Sequence, residues 1–134
     1  MARRFVSLTA PDGRVVCERC LLADTPWLRL RGLLGRPEPG EGEGILIRPC
    51  SSIHMMFMRY AVDAVFLDRE RTVVGVVGNV RPWRFAARRG AHQVLELRSG
   101  EAARRGLRPG DRLGLAEAAP VPVETAARGA EAGV

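Results

Sequence analysis

Lysine is absent from this chain of 134 residues, whose 21 basic residues are all arginine. Amide side chains are nearly absent too, since Asn79 and Gln93 are the only ones. Codon bias in a GC-rich genome is the simpler explanation of both features. The alternative is selection for the planar guanidinium group, which binds phosphate or carboxylate through two parallel hydrogen bonds. The formal net charge of +6 favours an anionic partner only if the arginines cluster on one surface.

Long hydrophobic runs are also missing. No apolar stretch approaches the roughly 18 residues of a membrane-spanning helix, which excludes that class of membrane protein. The first residues, MARRFVSLTAPDG, lack the apolar run of a secretory signal. The cysteines number three, and an odd count favours a reducing compartment. We therefore expect a cytoplasmic protein with no membrane partner.

The composition is that of a globular domain, with 46% hydrophobic and 27% charged residues, which excludes a wholly disordered or fibrous protein. We predict one domain over residues 1–115. The remaining segment, 116–134, has no packing pattern, and we expect it to be a disordered tail. We expect a monomer or a weak dimer.

Short apolar segments rich in Val, Ile, Leu and Phe alternate with turns that contain glycine or proline. About seven such segments predict a mainly β protein, an antiparallel jelly-roll-like β-sandwich or barrel with a short helix packed on it. That helix is predicted over 26–34, after a threonine N-cap and a proline. Its stripe of Trp27, Leu30 and Leu34 should cover an open face of the sandwich. A helix of one or two turns is also predicted over 101–105.

Four segments, in the same order along the chain, resemble those of a known family. They are WLRLRGLLGR (27–36), IHMMFM (53–58) with VDAVFLD (62–68), VLEL (94–97) and GD (110–111). They are similar to "R-x-x-GLMGR", "IHTFFM…IDVVFLD", "VLELPAG" and "GD" of the domain of unknown function 192 family, over about residues 23–114. The resemblance implies a jelly-roll-like β-sandwich. It implies no reaction, because the family has no established activity, and the chain departs from the pattern at Met55, Met56 and Ala61.

His54 and Asp63 are polar residues in two otherwise apolar segments that flank a short loop. A hairpin of two such strands is buried, so its polar groups must be hydrogen-bonded or open onto a pocket. A three-residue loop would place the two side chains on opposite faces, and a four-residue loop would place them on the same face. We take both as candidate ligand-binding residues, with Arg31 or Arg36 at the rim. Alternatively, Asp63 binds an arginine or caps loop amides, and His54 is a core residue.

Glu96 and Asp111 are two further candidate ligand-binding residues, and as a carboxylate pair they could support acid–base chemistry. Glu96 lies between Leu95 and Leu97 and therefore points to the other side of its strand. Asp111 follows a glycine in a turn, where aspartate commonly accepts hydrogen bonds from nearby amides. A structural role is the alternative for this pair.

A basic segment contains Arg81, Trp83, Arg84, Arg88 and Arg89. Arginine planes and tryptophan rings can stack on bases and bind phosphates, so these are candidate nucleic-acid or anion contacts. The alternative is a solvated loop that Trp83 anchors on the core. No recognised nucleic-acid module is present, so nucleic acid is not the partner we expect.

The cysteines Cys17 and Cys20 match the C-x-x-C pattern, and together with Cys50 and His54 they could supply four zinc ligands. The motif lies in a predicted strand, however, where residues three apart point to opposite faces. We therefore expect small buried cysteines, no metal site and no cofactor.

Three functions remain open. We favour a non-catalytic module that binds a small anionic or polyhydroxyl ligand near His54 and Asp63, because the chain has no recognisable nucleophile motif or metal-binding set. A small hydrolase would use His54 as a base, oriented by Asp63 or Glu96. Nucleic-acid binding would use the basic segment over 81–89.

Overall fold

The structure is a computed structural model that describes residues 3–119. Within these residues the chain forms nine strands and two short helices. The strands are β1 (Phe5–Thr9), β2 (Val15–Ala23), β3 (Glu43–Ile47), β4 (Ser52–His54), β5 (Val62–Leu67), β6 (Val73–Val80), β7 (Phe85–Ala87), β8 (Gln93–Arg98) and β9 (Gly114–Glu117). The helices are α1 (Pro26–Arg31) and α2 (Glu101–Arg104). The prediction of a mainly β protein is confirmed.

Seven of the strands form one sheet in the order β6-β5-β8-β3-β2-β1-β9, and β4 pairs with β7 in a separate small sheet. Neighbouring strands are antiparallel except β2 and β3, which run parallel. The large sheet is therefore mixed and does not close into a barrel. Parallel neighbours need a long crossover, because the chain must return to the same end of the sheet. The segment that contains α1 makes this crossover.

Alternation along the interior strands sends side chains into two apolar layers, one on each face of the large sheet. The Leu95 layer contains Val6, Leu8, Val65, Leu67, Leu95 and Leu97. The Phe66 layer contains Ile45, Ile47, Met55, Ala64, Phe66 and Val94. Every residue of β5 is buried because both faces of this strand are covered.

Helix α1 is shorter than predicted and is oriented differently. It ends before Gly32, whose φ of 53° lies in the left-handed region that favours glycine. The prediction that Trp27, Leu30 and Leu34 cover the sheet is wrong, because these side chains are 69%, 76% and 40% exposed. Leu28 and Leu33 contact the Phe66 layer instead. The break at the glycine turns Leu33 toward the core, and the apolar stripe of the helix faces solvent.

The prediction that Cys17 and Cys20 point to opposite faces is also wrong. Val6 pairs with Cys20 and Leu8 with Cys17, so a step of two residues in β1 matches a step of three in β2. A β-bulge of this kind adds one residue to a strand and changes the side-chain alternation. Both thiols consequently lie fully buried in the Leu95 layer. No three His, Cys, Asp or Glu side chains in residues 3–119 form a group that could hold a metal ion.

The hairpin predicted around His54 and Asp63 does not form. Strand β4 ends at His54, and the chain then turns at Met56 and Phe57. The partner of β4 is β7, which lies in the basic segment over 81–89, whereas β5 pairs with β6 and β8. At the C-terminal end, β9 continues to Glu117. Residues 116 and 117, predicted as the start of the tail, thus belong to this strand, and residues 120–134 of the predicted tail lie outside the described residues.

Candidate functional site

Glu96 occupies the middle of β8, an interior strand of the large sheet. Its register partners are Ile45 on β3 and Ala64 on β5, so its side chain points into the Phe66 layer. The residue is only 6% exposed. Burial raises the pKa of Glu96 to about 7, and no cation or hydrogen-bond donor within residues 3–119 opposes this shift. Near neutral pH the carboxyl group can therefore either donate or accept a hydrogen bond.

The carboxyl group opens into a narrow cleft between α1 and the segment over 50–58. This cleft has a volume of about 90 Å³, and Cys50, Ser52, His54 and Met58 line it together with Glu96. Ligand pockets commonly have volumes of roughly 300–1,000 Å³, so the cleft has room for one functional group of a ligand. It is a narrow recess rather than a pocket for a whole ligand, and apolar side chains make up most of its lining.

A wider basin adjoins the cleft and has a volume of about 560 Å³. The basin and the cleft share Arg29, Leu30, Ile47, Cys50 and Ser52 as lining residues. Ligand sites commonly have volumes of roughly 300–1,000 Å³. The basin can therefore hold a small molecule whose end reaches the carboxyl group of Glu96. We call the basin and the cleft together the Glu96 groove.

The polar residues on one wall of the Glu96 groove are close together in the sequence. Ser52 and His54 lie two residues apart on β4, so their side chains share one side of the strand. Pairing of His54 with Phe85 on β7 leaves the imidazole exposed at the mouth. The Cys50 amide donates to the His92 carbonyl at 2.8 Å, and the Cys50 thiol donates to the Ser52 carbonyl at 3.0 Å. Burial raises the pKa of the Cys50 thiol.

Asp63 is not part of this groove. It is opposite Leu97 in the sheet, and its side chain therefore points to the Leu95 face. Its Oδ1 atom accepts a hydrogen bond from the Asn79 amide at 2.8 Å, and Oδ2 accepts from the amides of Gly100 and Ala102, each at 2.9 Å. The structure thus separates His54 from Asp63 and brings His54 and Glu96 to one groove.

The other candidate ligand residues are distributed over different places. Arg31 lines the Glu96 cleft and also a pocket on the other side of α1, whereas Arg36 lines that second pocket but not the cleft. Asp111 lies in the turn before β9 and accepts a hydrogen bond from the Arg108 amide at 3.1 Å. Asp111 does not line the Glu96 groove. The carboxylate pair that the sequence suggested is therefore not formed.

The basic segment has its predicted cations, Arg81, Arg84, Arg88 and Arg89, on the surface. Trp83 does not anchor this segment on the core, since it is 61% exposed. Its ring contacts that of Phe57, with centroids 4.9 Å apart. Both aromatic residues have a positive φ, 68° for Trp83 and 64° for Phe57, which costs roughly 1–2 kcal/mol for each.

Hydrogen bonds hold Trp83 and Arg84 against Met55, two residues before Phe57. The Trp83 amide donates to the Met55 carbonyl at 2.8 Å, and the Met55 amide donates to the Arg84 carbonyl at 2.7 Å. The resulting exposed aromatic pair lies beside the Glu96 groove, because Met56, next to Phe57, lines the cleft.

Sequence reasoning missed several residues of the groove. Arg29 and Leu30 of α1 line the groove but are not among the residues that the sequence suggests. Cys50 also lines it, whereas the sequence suggests this residue only as a possible zinc ligand. Ser52 could have been found, since it precedes His54 by two residues in a strand pattern. The local sequence of α1 does not predict which of its residues line the groove, because that depends on how the crossover segment lies on the sheet.

Comparison with known proteins places the chain in a family. The family model DUF192, described as "Uncharacterized ACR", matches residues 8–115. This chain belongs to the DUF192 family. A UPF0127 protein of Thermococcus sibiricus is 37% identical over 93 residues, which cover 66% of this chain and 60% of that protein. A UPF0127 protein of Pyrococcus abyssi is 43% identical over 47 residues, which cover 34% of this chain and 39% of that protein. The chain therefore matches less than two-thirds of the length of these curated DUF192 relatives.

Two solved structures share the DUF192 fold. A protein of unknown function from Novosphingobium aromaticivorans has a TM-score of 0.71 and 30% identity, with 84% of each chain covered. A protein from Sinorhizobium meliloti, described as "a putative transcription regulator", has a TM-score of 0.73 and 28% identity, with 84% of this chain and 93% of that chain covered. The family is uncharacterised and of unknown function. Neither helix in residues 3–119 has the length and hydropathy needed to span a membrane.

Proposed function

We propose that this DUF192 protein is a non-catalytic module that binds a small polyhydroxyl or anionic ligand in the Glu96 groove. The observation that carries the proposal is the carboxyl group of Glu96, which is largely buried and opens into a cleft, and for which no hydrogen bond within residues 3–119 offsets the effect of burial. Burial of a carboxyl group is costly when no hydrogen bond compensates its desolvation. A ligand hydroxyl group that enters the cleft would provide the missing hydrogen bond.

The chemistry of the groove suits a hydroxyl-bearing ligand. A carboxyl group with a pKa of about 7 can accept a hydrogen bond from a hydroxyl group when ionised, and can donate one when protonated. His54 at the mouth adds a ring nitrogen that can bind a second hydroxyl group. Arg29 in the shared wall of the basin can attract an anionic end of the ligand, which would then lie away from Glu96.

Hydrolysis is the second candidate, because a carboxyl pKa of about 7 suits general acid–base catalysis at neutral pH. Ser52, His54 and Glu96 also line one cleft. A nucleophile and its base must lie within hydrogen-bond reach of each other. The Cys50 thiol donates its hydrogen bond to the Ser52 carbonyl rather than to a base. Glu96 is the sole carboxylate among the described residues that line the groove, so it has no second carboxylate there to act with. Binding is therefore the better supported function.

Nucleic-acid binding is less well supported, although one structural relative is described as "a putative transcription regulator". Helix α1 has six residues and α2 has four, so neither helix described in residues 3–119 is long enough to read a major groove in the usual way. The exposed arginines of the basic segment remain candidates for contacts with phosphate groups only.

Thermal stability in the presence of small polyols, aldoses and hydroxy acids tests the proposal. A compound that occupies the groove should raise the melting temperature of the wild type. Glu96→Leu, which removes the polar group, should abolish this rise. Glu70→Gln is the matched control, since it removes one negative charge at an exposed site outside the groove.

Two outcomes would contradict the proposal. One is a rise in melting temperature that Glu96→Leu leaves unchanged, which would place the ligand elsewhere. The other is turnover of an aryl ester or aryl glycoside that Glu96→Gln abolishes, which would show a hydrolase. Native mass spectrometry of protein purified without denaturation should identify the bound compound directly.

A further inference from the structure

A second pocket lies on the other side of α1 from the Glu96 groove. It has a volume of about 610 Å³, which is within the common range for small ligands. Four arginines and one aromatic residue line it: Arg3, Arg4, Arg31, Arg36 and Trp27. We call it the Arg36 pocket. It shares only Arg31 with the Glu96 groove.

Two of the guanidinium groups are held in place by backbone carbonyls at the end of α1. The Nε atom of Arg31 donates to the Leu34 carbonyl at 3.2 Å, and the Nε atom of Arg36 donates to the Gly32 carbonyl at 3.0 Å. Each bond uses one donor of the guanidinium group and leaves the terminal N–H groups for another acceptor. Both side chains are half-buried, so part of the cost of ordering them is already met before a ligand binds.

The arginines of this pocket repel one another. Burial lowers the pKa of Arg36, and the positive charges of Arg31 and Arg3 lower it further. Within residues 3–119, Arg3, Arg31 and Arg36 form no ion pair.

Two acidic groups lie near the pocket. Arg4 is paired with Glu117 at 2.6 Å, and Asp24 is the one carboxylate among the described lining residues. The pocket therefore retains a positive charge that an anion would neutralise.

Trp27 supplies the apolar wall of the Arg36 pocket. Its side chain is 69% exposed, so it does not serve to stabilise the core. A flat indole face beside guanidinium groups is suited to a ligand that combines a planar ring with an anionic group.

We propose that the Arg36 pocket binds a soluble phosphate-bearing ligand, with its phosphate on Arg3, Arg31 and Arg36 and a planar ring on Trp27. A phosphate group has three terminal oxygens and up to two negative charges, which match several guanidinium donors better than one carboxylate does. This site is separate from the Glu96 groove and does not depend on the function proposed for it.

Tryptophan fluorescence can report binding at this site. The chain has two tryptophans, so Trp83→Phe leaves Trp27 as the only one. In that background, titration with ADP should change the Trp27 emission saturably. Arg36→Gln and Arg3→Gln should each weaken ADP binding at least tenfold. Arg89→Gln, an equal loss of charge at an exposed site outside the pocket, should change the dissociation constant less than twofold.

Calorimetry separates the phosphate contact from the ring contact. Trp27→Leu should weaken binding of ADP but not of pyrophosphate, which has no ring. Glu96→Leu should leave both affinities within twofold of the wild type. Since the Arg36 side chain also bonds to the backbone, Arg3→Gln provides the variant that removes no hydrogen bond within residues 3–119.

The proposal would be overturned by a non-saturable signal. It would also be overturned if Arg89→Gln weakened ADP binding as much as Arg36→Gln and Arg3→Gln, because that result would show attraction by net charge alone. Equal weakening of ADP and pyrophosphate by Trp27→Leu would refute the ring contact.

Discussion

The amide of Ala102 donates a hydrogen bond of 2.9 Å to Oδ2 of Asp63. Helix α2 begins after Gly100 and has no side-chain cap of its own. Asp63, which lies in β5, therefore caps a helix that begins almost 40 residues later in the chain. Asp63, a candidate ligand-binding residue in the sequence, thus connects the sheet to α2 in the structure. Replacement of a ligand-binding aspartate should leave the stability of the fold nearly unchanged, whereas replacement of an aspartate that caps a helix should lower it.

Asp63→Asn should destabilise the fold by about 2–4 kcal/mol, because hydrogen bonds to a charged acceptor each contribute roughly 1.5–3 kcal/mol. The carboxylate accepts three amide hydrogen bonds, whereas asparagine has one acceptor oxygen and would turn an NH₂ group toward an amide. Urea denaturation measures the loss. Asp111→Asn is the control, since Asp111 accepts one amide bond in an exposed turn, and it should cost less than about 1 kcal/mol. Similar small losses for both variants would contradict the capping role.

The raised pKa of Glu96 predicts a stability that falls as pH increases. The unfolded carboxyl group ionises near its ordinary pKa of 4.5, whereas the folded one stays protonated until about 7. Between these values the native state binds more protons than the unfolded state, so stability falls with increasing pH. The group therefore lowers stability by roughly 3 kcal/mol once the pH exceeds 7.

Comparison with Glu96→Gln isolates this effect, because glutamine does not titrate. The variant should differ from the wild type by less than about 1 kcal/mol at pH 5 and be more stable by roughly 3 kcal/mol at pH 8. Urea denaturation at pH 5, 6, 7 and 8 gives the difference. A difference that does not vary with pH would show that the carboxyl group of Glu96 ionises normally in the folded protein.

Trp27→Ala should change the free energy of unfolding by less than about 1 kcal/mol, because little of the indole surface is removed from water. Phe66→Ala is the contrasting variant, since Phe66 is fully buried, and it should cost about 3–5 kcal/mol. Thermal or urea denaturation compares them. Comparable losses would mean that α1 packs its apolar stripe on the sheet, against the arrangement described above.

Thiol labelling should distinguish the three cysteines by burial. Cys17 and Cys20 are fully buried, and burial holds the pKa of Cys20 well above its ordinary value. Cys50 is half-buried at the wall of the groove. Native protein should therefore incorporate one iodoacetamide label per chain, and denatured protein three.

Mass spectrometry counts the labels, and Cys50→Ser supplies the control. This variant should incorporate no label in the native state. Rapid labelling of Cys17 or Cys20 in native protein would mean that the Leu95 layer opens readily or that β2 lacks the bulge.

Local sequence information predicted much of the fold. Turn residues bounded most of the strands, and β5 is predicted to be buried on both faces because every residue in it except Asp63 is apolar. The family segments over 27–36, 53–58 and 94–97 identified the DUF192 family. The position of Glu96 opposite to Leu95 and Leu97 also followed from strand alternation.

The site itself depended on pairings that are distant in sequence. Alternation shows which side chains of one strand share a face, but not which faces of different strands coincide. Strand β4 pairs with β7 rather than with β5, so His54 shares a groove with Glu96 and not with Asp63.

The chain by itself determined a mainly β domain, its buried strands and its family. Tertiary structure alone decided the bulge that brings Cys17 and Cys20 to one face, the exposure of Trp27, and the groove at Glu96. The physical reason is that turn and alternation preferences act over a few residues. Strand register and the docking of a crossover are set by contacts between segments far apart in the chain.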